Sequence, residues 1–235
     1  LPIYRLIADL VKRGVAITST LPVFEQNVPG HAPLSAKVLD VMAPWARETY
    51  LYNRNRTNTA GRDDMDNRVK AFRNALGLER KFVAAGGLLI AGLDPTEGMK
   101  GVRALEHAVR EYGFIGAHFY PHWFELAPDH ARWYPFYAKC VELDVPVQLQ
   151  VGQSLVYDPG RPLRSVGRPI TLDAVACDFP ELKLIGIHVG IPWTEEMIAM
   201  AWKHANVYIG CDAHSPKYWP QSFVQYINKI GRAHV

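Results

Sequence analysis

Cysteine is scarce, with three residues in 235, and Cys140, Cys177 and Cys211 form no C-x-x-C pair. An odd count in apolar surroundings argues against a disulfide framework and leads to the expectation of buried, reduced thiols in a cytoplasmic protein. No apolar run approaches the roughly 18 residues of a membrane span, no secretory leader is visible, and no low-complexity tract or internal repeat occurs. Charge of one sign is lacking as well. The 26 basic and 23 acidic residues leave a formal charge of +3, and the basic residues are scattered, which argues against nucleic acid or an anionic membrane as partners. H-E-x-x-H, a glycine-rich phosphate loop and a G-x-S-x-G elbow are all missing, so phosphoryl transfer and serine hydrolysis have no support.

Hydrophobic residues make up 49% of the chain, enough to bury a substantial core in one large domain, expected over residues 1–229. The chain opens at Leu1 without methionine. It closes on Ile230-Gly-Arg-Ala-His-Val235, which reads as a non-native translated tail, so a fragment is expected.

Apolar periodicity organises the rest. Ile3, Leu6, Ile7, Leu10 and Val11 make a helical stripe that stops at Gly14, and Val15–Leu21 reads as a strand. A helix is expected around Ala36–Tyr52. The polar run Asn53–Asn67, where Arg54, Arg56, Arg62 and Arg68 alternate with Asp63, Asp64 and Asp66, reads as a solvated connection. A long helix over Met65–Ala85 precedes a buried strand, Leu88–Gly92. Strands at Ile115–Tyr120, Val145–Val151, Lys183–His188 and Val207–Gly210 then alternate with helices carrying Val102, Leu105, Val109 and Tyr112, with Tyr134–Leu143, and with Leu172–Cys177. After His188, Val189-Gly-Ile-Pro-Trp193 supplies turn chemistry. Thr194 is expected to cap a helix with Glu195 and Glu196 in its first turn, Lys203 and His204 in its last, and a stripe of Met197, Ile198, Ala201 and Trp202. About six βα units imply an α/β fold with a parallel sheet, an incomplete version of the eight-stranded (β/α)8 TIM barrel.

In such sheets ligands meet the chain at the carboxyl ends of the strands. His188 ends an apolar strand and serves there as metal ligand, proton shuttle or substrate contact, or else is a satisfied structural histidine. His118 and His122 lie within and just after another strand. Asp94, Asp212 and His214 follow strand ends, where turn formation is the competing explanation. Gln150 and Gln153 end a strand and suit hydrogen bonding to a carboxylate or hydroxyl. Arg168 is a candidate clamp for an anionic substrate, or a surface arginine.

Residues from about Asp94 to Asn228 resemble the amidohydrolase-related family, in the branch of metal-dependent decarboxylases of the aminocarboxymuconate semialdehyde type. The resemblance is carried by Tyr134-Pro-Phe-Tyr-Ala-Lys-Cys140, Gly167-Arg-Pro-Ile-Thr-Leu-Asp173, Ile187-His-Val-Gly-Ile-Pro-Trp-Thr-Glu-Glu-Met197 and Asp212-Ala-His-Ser-Pro-Lys-Tyr218. It implies a barrel with one divalent metal, commonly zinc and alternatively manganese, acting on a small-molecule substrate, with His188 beside metal and substrate. Gly14-Val-Ala-Ile-Thr-Ser-Thr-Leu-Pro-Val-Phe24 and Phe82–Pro95 resemble instead the later strands of imidazolonepropionase-like amidohydrolases, where the residue matching Asp94 is metal ligand and proton acceptor. The order of these motifs suggests a splice of two members near residues 92–96.

Several departures from the family pattern bear on activity. The family's H-x-H pair is absent, and Gln150 stands where many relatives place a histidine. One or two ligands, Asp94 and His188, remain for an ion that needs about three. The expected function is metal-assisted hydrolysis or nonoxidative decarboxylation of a small carboxylated or cyclic substrate in the parent protein, with His188 and Asp94 catalytic and His118, His122, Gln150, Arg168, Asp212 and His214 lining the pocket. The alternative is a catalytically silent barrel without metal. Nothing in the sequence excludes a homo-oligomer.

Overall fold

The structure, a computed structural model, describes residues 2–19, 21, 28–30, 33, 36–41, 44–59, 61–93, 95, 98–154 and 163–229. The expected tail at 230–235 and the proposed ligand Asp94 lie outside the described residues. The chain divides into two compact units, Leu1–Leu88 and Leu89–Val235.

The first unit contains α1 (Pro2–Lys12), β1 (Ala16–Ser19), α2 (Ala36–Val41), α3 (Pro44–Asn58) and α4 (Arg62–Ala84). Gly14, at φ +66°, makes the left-handed turn between α1 and β1, a conformation that costs glycine little. The Ser19 hydroxyl donates to Glu79 at 3.0 Å, and burial raises the Glu79 carboxyl above its usual range against that hydrogen bond. The expected solvated connection at Asn53–Asn67 is instead mostly helix, divided between α3 and α4 around Gly61. Polar residues do not break helices, and Arg68 pairs with Asp64 one turn earlier at 2.8 Å, the spacing that supports an exposed helix.

The second unit holds β2 (Leu88–Gly92), α5 (Met99–Tyr112), β3 (Ala117–Phe119), α6 (Pro121–Phe124), α7 (Tyr134–Glu142), β4 (Val147–Gln150), α8 (Leu172–Asp178), β5 (Leu184–Ile187), α9 (Thr194–Lys203), β6 (Val207–Ile209) and α10 (Gln221–Lys229). Strands β2 to β6 pair in chain order, all parallel, with His118 beside Gln148, Gln150 beside Ile187 and Gly186 beside Ile209. Within this unit five parallel strands alternate with helices as in an α/β barrel, an incomplete version of it. Among the described residues no helix is long and apolar enough to cross a membrane.

Period-two alternation decides which side chains reach the helices. Ala117, Phe119, Val147, Leu149, Leu184, Val207 and Ile209 are buried in one core with α5, α7, α8 and α9. His118, Gln148, Ile185 and Tyr208 occupy the opposite face and are only partly covered. Helix α9 lies close over the sheet at Gly186, where an added methyl would stand 2.5 Å from Met197 Sδ. At the other side Trp133 stacks on Phe119 with centroids 4.8 Å apart, and Tyr137 donates to the Pro128 carbonyl at 2.8 Å.

Three expectations for side chains need correction. Trp202 and Tyr112 are exposed, while Met200 is buried; the stripe facing the sheet is Met197, Met200 and Ala201, at i, i+3 and i+4. Trp193, not Thr194, holds the cap position of α9, and the buried Thr194 hydroxyl has no hydrogen-bond partner among the described residues. Of the three free thiols only Cys140 is buried, Cys211 being intermediate and Cys177 exposed. Burial pushes the Cys140 thiol up to about 12, which makes it an inert core residue.

A candidate active site at the carboxyl ends of the strands

The chain leaves β5 by an abrupt reversal. His188 and Val189 adopt φ of +63° and +56°, left-handed values that are costly for a β-branched residue and persist only where surroundings fix them. Here Val189 is fully buried and its N–H donates to the Gly210 carbonyl at 3.0 Å. Gly152 packs against the same turn at φ +90°, and a methyl there would collide with the Ile191 carbonyl oxygen. The reversal aims the His188 ring across the ends of β4 and β6.

Both ring nitrogens of His188 are engaged. The Gln150 side-chain amide, at the end of β4, donates to Nδ1 in a very short contact, and Nε2 lies 3.4 Å from Asp212 Oδ2 beyond β6. Asp212 Oδ1 also accepts the His188 backbone N–H at 2.9 Å. One carboxylate therefore holds both the backbone and the ring of the histidine. Burial acts to raise the Asp212 carboxyl, but the hydrogen bonds from the ring and the backbone N–H, with the neighbouring imidazole, leave it below its usual value. An ionised carboxylate behind an imidazole fixes the orientation of the ring.

Two further histidines border this pair. His214 meets the His188 ring edge-on with centroids 6.1 Å apart, and its buried Nε2 has no partner among the described residues. His118, on the partly open sheet face, shares a hydrogen bond with Gln148 Oε1 at 3.3 Å. Burial lowers its pKa, opposed by Gln148 and the Asp212 charge and assisted by the repulsion of His188. The structure thus brings together His118, Gln150, His188, Asp212 and His214. Gln148 was not singled out in the sequence; the available signal was its position two residues before Gln150, on the same strand face.

His122 is fully buried on α6. Neither of its ring nitrogens has a hydrogen-bond partner among the described residues, although the backbone at Arg164 and Gly152 is close enough to oppose the effect of burial. Burial lowers its pKa to about 4, with His188 repulsion adding to the fall. In the unfolded chain the ring titrates near 6.5, so the unfolded state binds the extra proton between pH 6.5 and 4. Stability conferred by the neutral buried ring is complete above pH 6.5 and is lost as pH falls toward 4, by at most about 3 kcal/mol. Urea denaturation at pH 7.0, 5.5 and 4.5 should show this decline in the natural chain and a flatter profile in His122→Gln.

Arg168 is committed elsewhere. Its guanidinium binds Glu196 through two nitrogens, one contact being very short and the other, from Nε, 3.1 Å, and it stacks on Trp193 at 4.8 Å. Glu196 also accepts the Ile170 N–H at 3.3 Å. This arrangement ties the segment before α8 to the start of α9 and engages the Nε and Nη2 edge of the guanidinium.

A divalent ion requires about three ligand atoms converging on one point. Among the described residues of this mouth no three His, Cys, Asp or Glu ligand atoms converge in that way. The described residues of this mouth therefore do not by themselves fit the expected zinc or manganese.

The amidohydrolase family profile matches residues 40–235, a span that runs across 92–96. Among solved structures the chain is similar to an uncharacterized TIM-barrel protein from Bordetella bronchiseptica, with 24% identity over 62% of this chain and 50% of that one, and a TM-score of 0.49. It is also similar to 2,6-dihydroxybenzoate decarboxylase from Rhizobium, with 19% identity over 85% and 68% and a TM-score of 0.48. A third similarity is to a 5-carboxyvanillate decarboxylase from Novosphingobium aromaticivorans with bound manganese, at 17% identity over 85% and 52% and a TM-score of 0.42. The chain covers between half and about two thirds of the length of these structures. No curated protein matches it.

Proposed function

The chain belongs to the amidohydrolase family, and from that premise we propose that its strand-end mouth serves hydrolysis or nonoxidative decarboxylation of a small carboxylated or cyclic substrate, with His188 moving the proton. The observation that carries this reading is the chain Gln150–His188–Asp212, contributed by the ends of three neighbouring strands. Proton-transfer groups work within hydrogen-bond reach of the reacting atom and in a fixed tautomer. With Nε2–H directed at Asp212, the lone pair lies on Nδ1, where Gln150 now donates. A substrate oxygen or carbon entering the mouth displaces Gln150 from Nδ1. The amide turns to the substrate oxygen, and the imidazole takes or returns the proton while Asp212 balances its charge.

His118 and His214 line the same mouth, and the buried His122 ring, whose nitrogens have no hydrogen-bond partner among the described residues, lies beside it. Because the described residues do not assemble a metal site at the mouth, the proton step relies on none. That ligand shortfall favours the second reading, a catalytically silent barrel. Incubating the purified chain with small hydroxylated aromatic carboxylates and with cyclic amides, with and without added Zn²⁺ or Mn²⁺, separates the two. Turnover that disappears in His188→Asn supports the acid–base reading; no turnover of any compound in any condition supports the silent barrel.

A further inference from the structure

A second cluster of ligating side chains lies away from the mouth. Asp173 and Cys177 stand four residues apart on α8, so both project from one helix face. His204, which ends α9, brings Nε2 to 2.6 Å from Asp173 Oδ1. The Asp173, Cys177 and His204 ligand atoms all lie within 4.8 Å of one another. Helix α9 separates this cluster from the strand-end loop: ten residues at about 1.5 Å each put roughly 15 Å between its two ends.

The geometry points to a zinc-class metal site here, formed by Asp173, Cys177 and His204 and joining α8 to α9. Thiolate, imidazole and carboxylate together suit Zn²⁺ or Co²⁺ rather than the all-oxygen preference of Mg²⁺ or Ca²⁺. Three protein ligands leave a fourth position for water. The carbonyl end of α9 adds a partial negative charge that favours a cation. Positive charge is already recruited to the spot, since Lys203 Nζ lies 2.7 Å from Asp173 Oδ1. Its side chain is 56% exposed and free to swing out when a dication takes its place. The His204 side chain is only 10% exposed, which holds the imidazole in position, while exposed Cys177 gives the ion an entry path. A bound ion would cross-link two helices that pack against the core, so the site stabilises the fold.

Titration of the full chain with Co²⁺ tests this, because a thiolate ligand produces a sulfur-to-cobalt charge-transfer band and tetrahedral geometry produces intense visible bands. One equivalent should generate both, and Zn²⁺ should displace them while raising the thermal midpoint. Cys177→Ala, at an exposed position that folding does not depend on, should abolish the charge-transfer band. Asp173→Asn and His204→Asn should weaken binding by at least about tenfold. Lys203→Ala should tighten it by up to about fivefold, the worth of one exposed ion pair. Absence of the charge-transfer band at one equivalent, its survival in Cys177→Ala, or its loss only in Cys211→Ala would overturn the assignment.

Discussion

His188→Asn lowers turnover by about 10²–10⁴-fold, the usual contribution of a positioned acid–base group, equivalent to roughly 3–5 kcal/mol of barrier. Asparagine is the informative replacement because it tolerates the left-handed backbone at this position, where φ is +63°. The fold around the strand end is then kept while the titrating ring is removed. Its amide also retains a donor toward Asp212, so the carboxylate is not left without a partner. Since the imidazole acts on the proton in flight, kcat and kcat/KM should fall together, with KM little changed. A drop confined to KM would assign His188 to substrate binding. Steady-state kinetics on the best substrate from the carboxylate and cyclic-amide panel, alongside circular dichroism to confirm folding, makes the distinction.

Trp133→Ala costs about 3–5 kcal/mol of stability, as large-to-small replacement of a packed aromatic does. Trp133 is fully buried, stacks on Phe119 at 4.8 Å and meets Phe124 edge-on at 5.8 Å. Its Nε1–H also donates to the Leu126 carbonyl at 3.4 Å. Phe119 adjoins His118 on β3 and Phe124 closes α6, the helix of His122, so the cavity opens directly behind two of the site histidines. Against a typical domain stability of about 5–15 kcal/mol, the loss is roughly a fifth or more. The urea midpoint, followed by far-ultraviolet circular dichroism, should fall sharply at unchanged slope. Trp133→Phe should recover part of it. A loss below about 1 kcal/mol would mean that this aromatic cluster does not hold β3 in place.

Much of the mouth could be read from the chain because local signals agreed there. A short apolar run ending in His188, followed by glycine and proline, marks a strand end, and the acidic start of α9 marks the return. Asp212 was less visible: its turn-forming tendency accounts for the same sequence equally well, and only the three-dimensional pairing with His188 separates the two. Arg168 illustrates the opposite limit. Its partner Glu196 lies 28 residues away, and no local pattern reveals that ion pair. The run Asn53–Asn67 misled because alternating charge signals solvent exposure without specifying backbone, and exposed helices such as α3 and α4 share it. The cluster of Asp173, Cys177 and His204 escaped for a related reason. His204 had a sufficient explanation as a positive group near a helix end, and Cys177 as a core thiol; its exposure becomes apparent only once α8 and α9 are packed.

The most direct test is a double-mutant cycle on His188 and Asp212. If ring and carboxylate act as one proton-transfer unit, His188→Asn and Asp212→Asn each cause a large loss of turnover, and the double variant is scarcely worse than His188→Asn alone. Losses that multiply across the two sites, or an Asp212→Asn variant as active as the natural chain, would contradict the proposed unit.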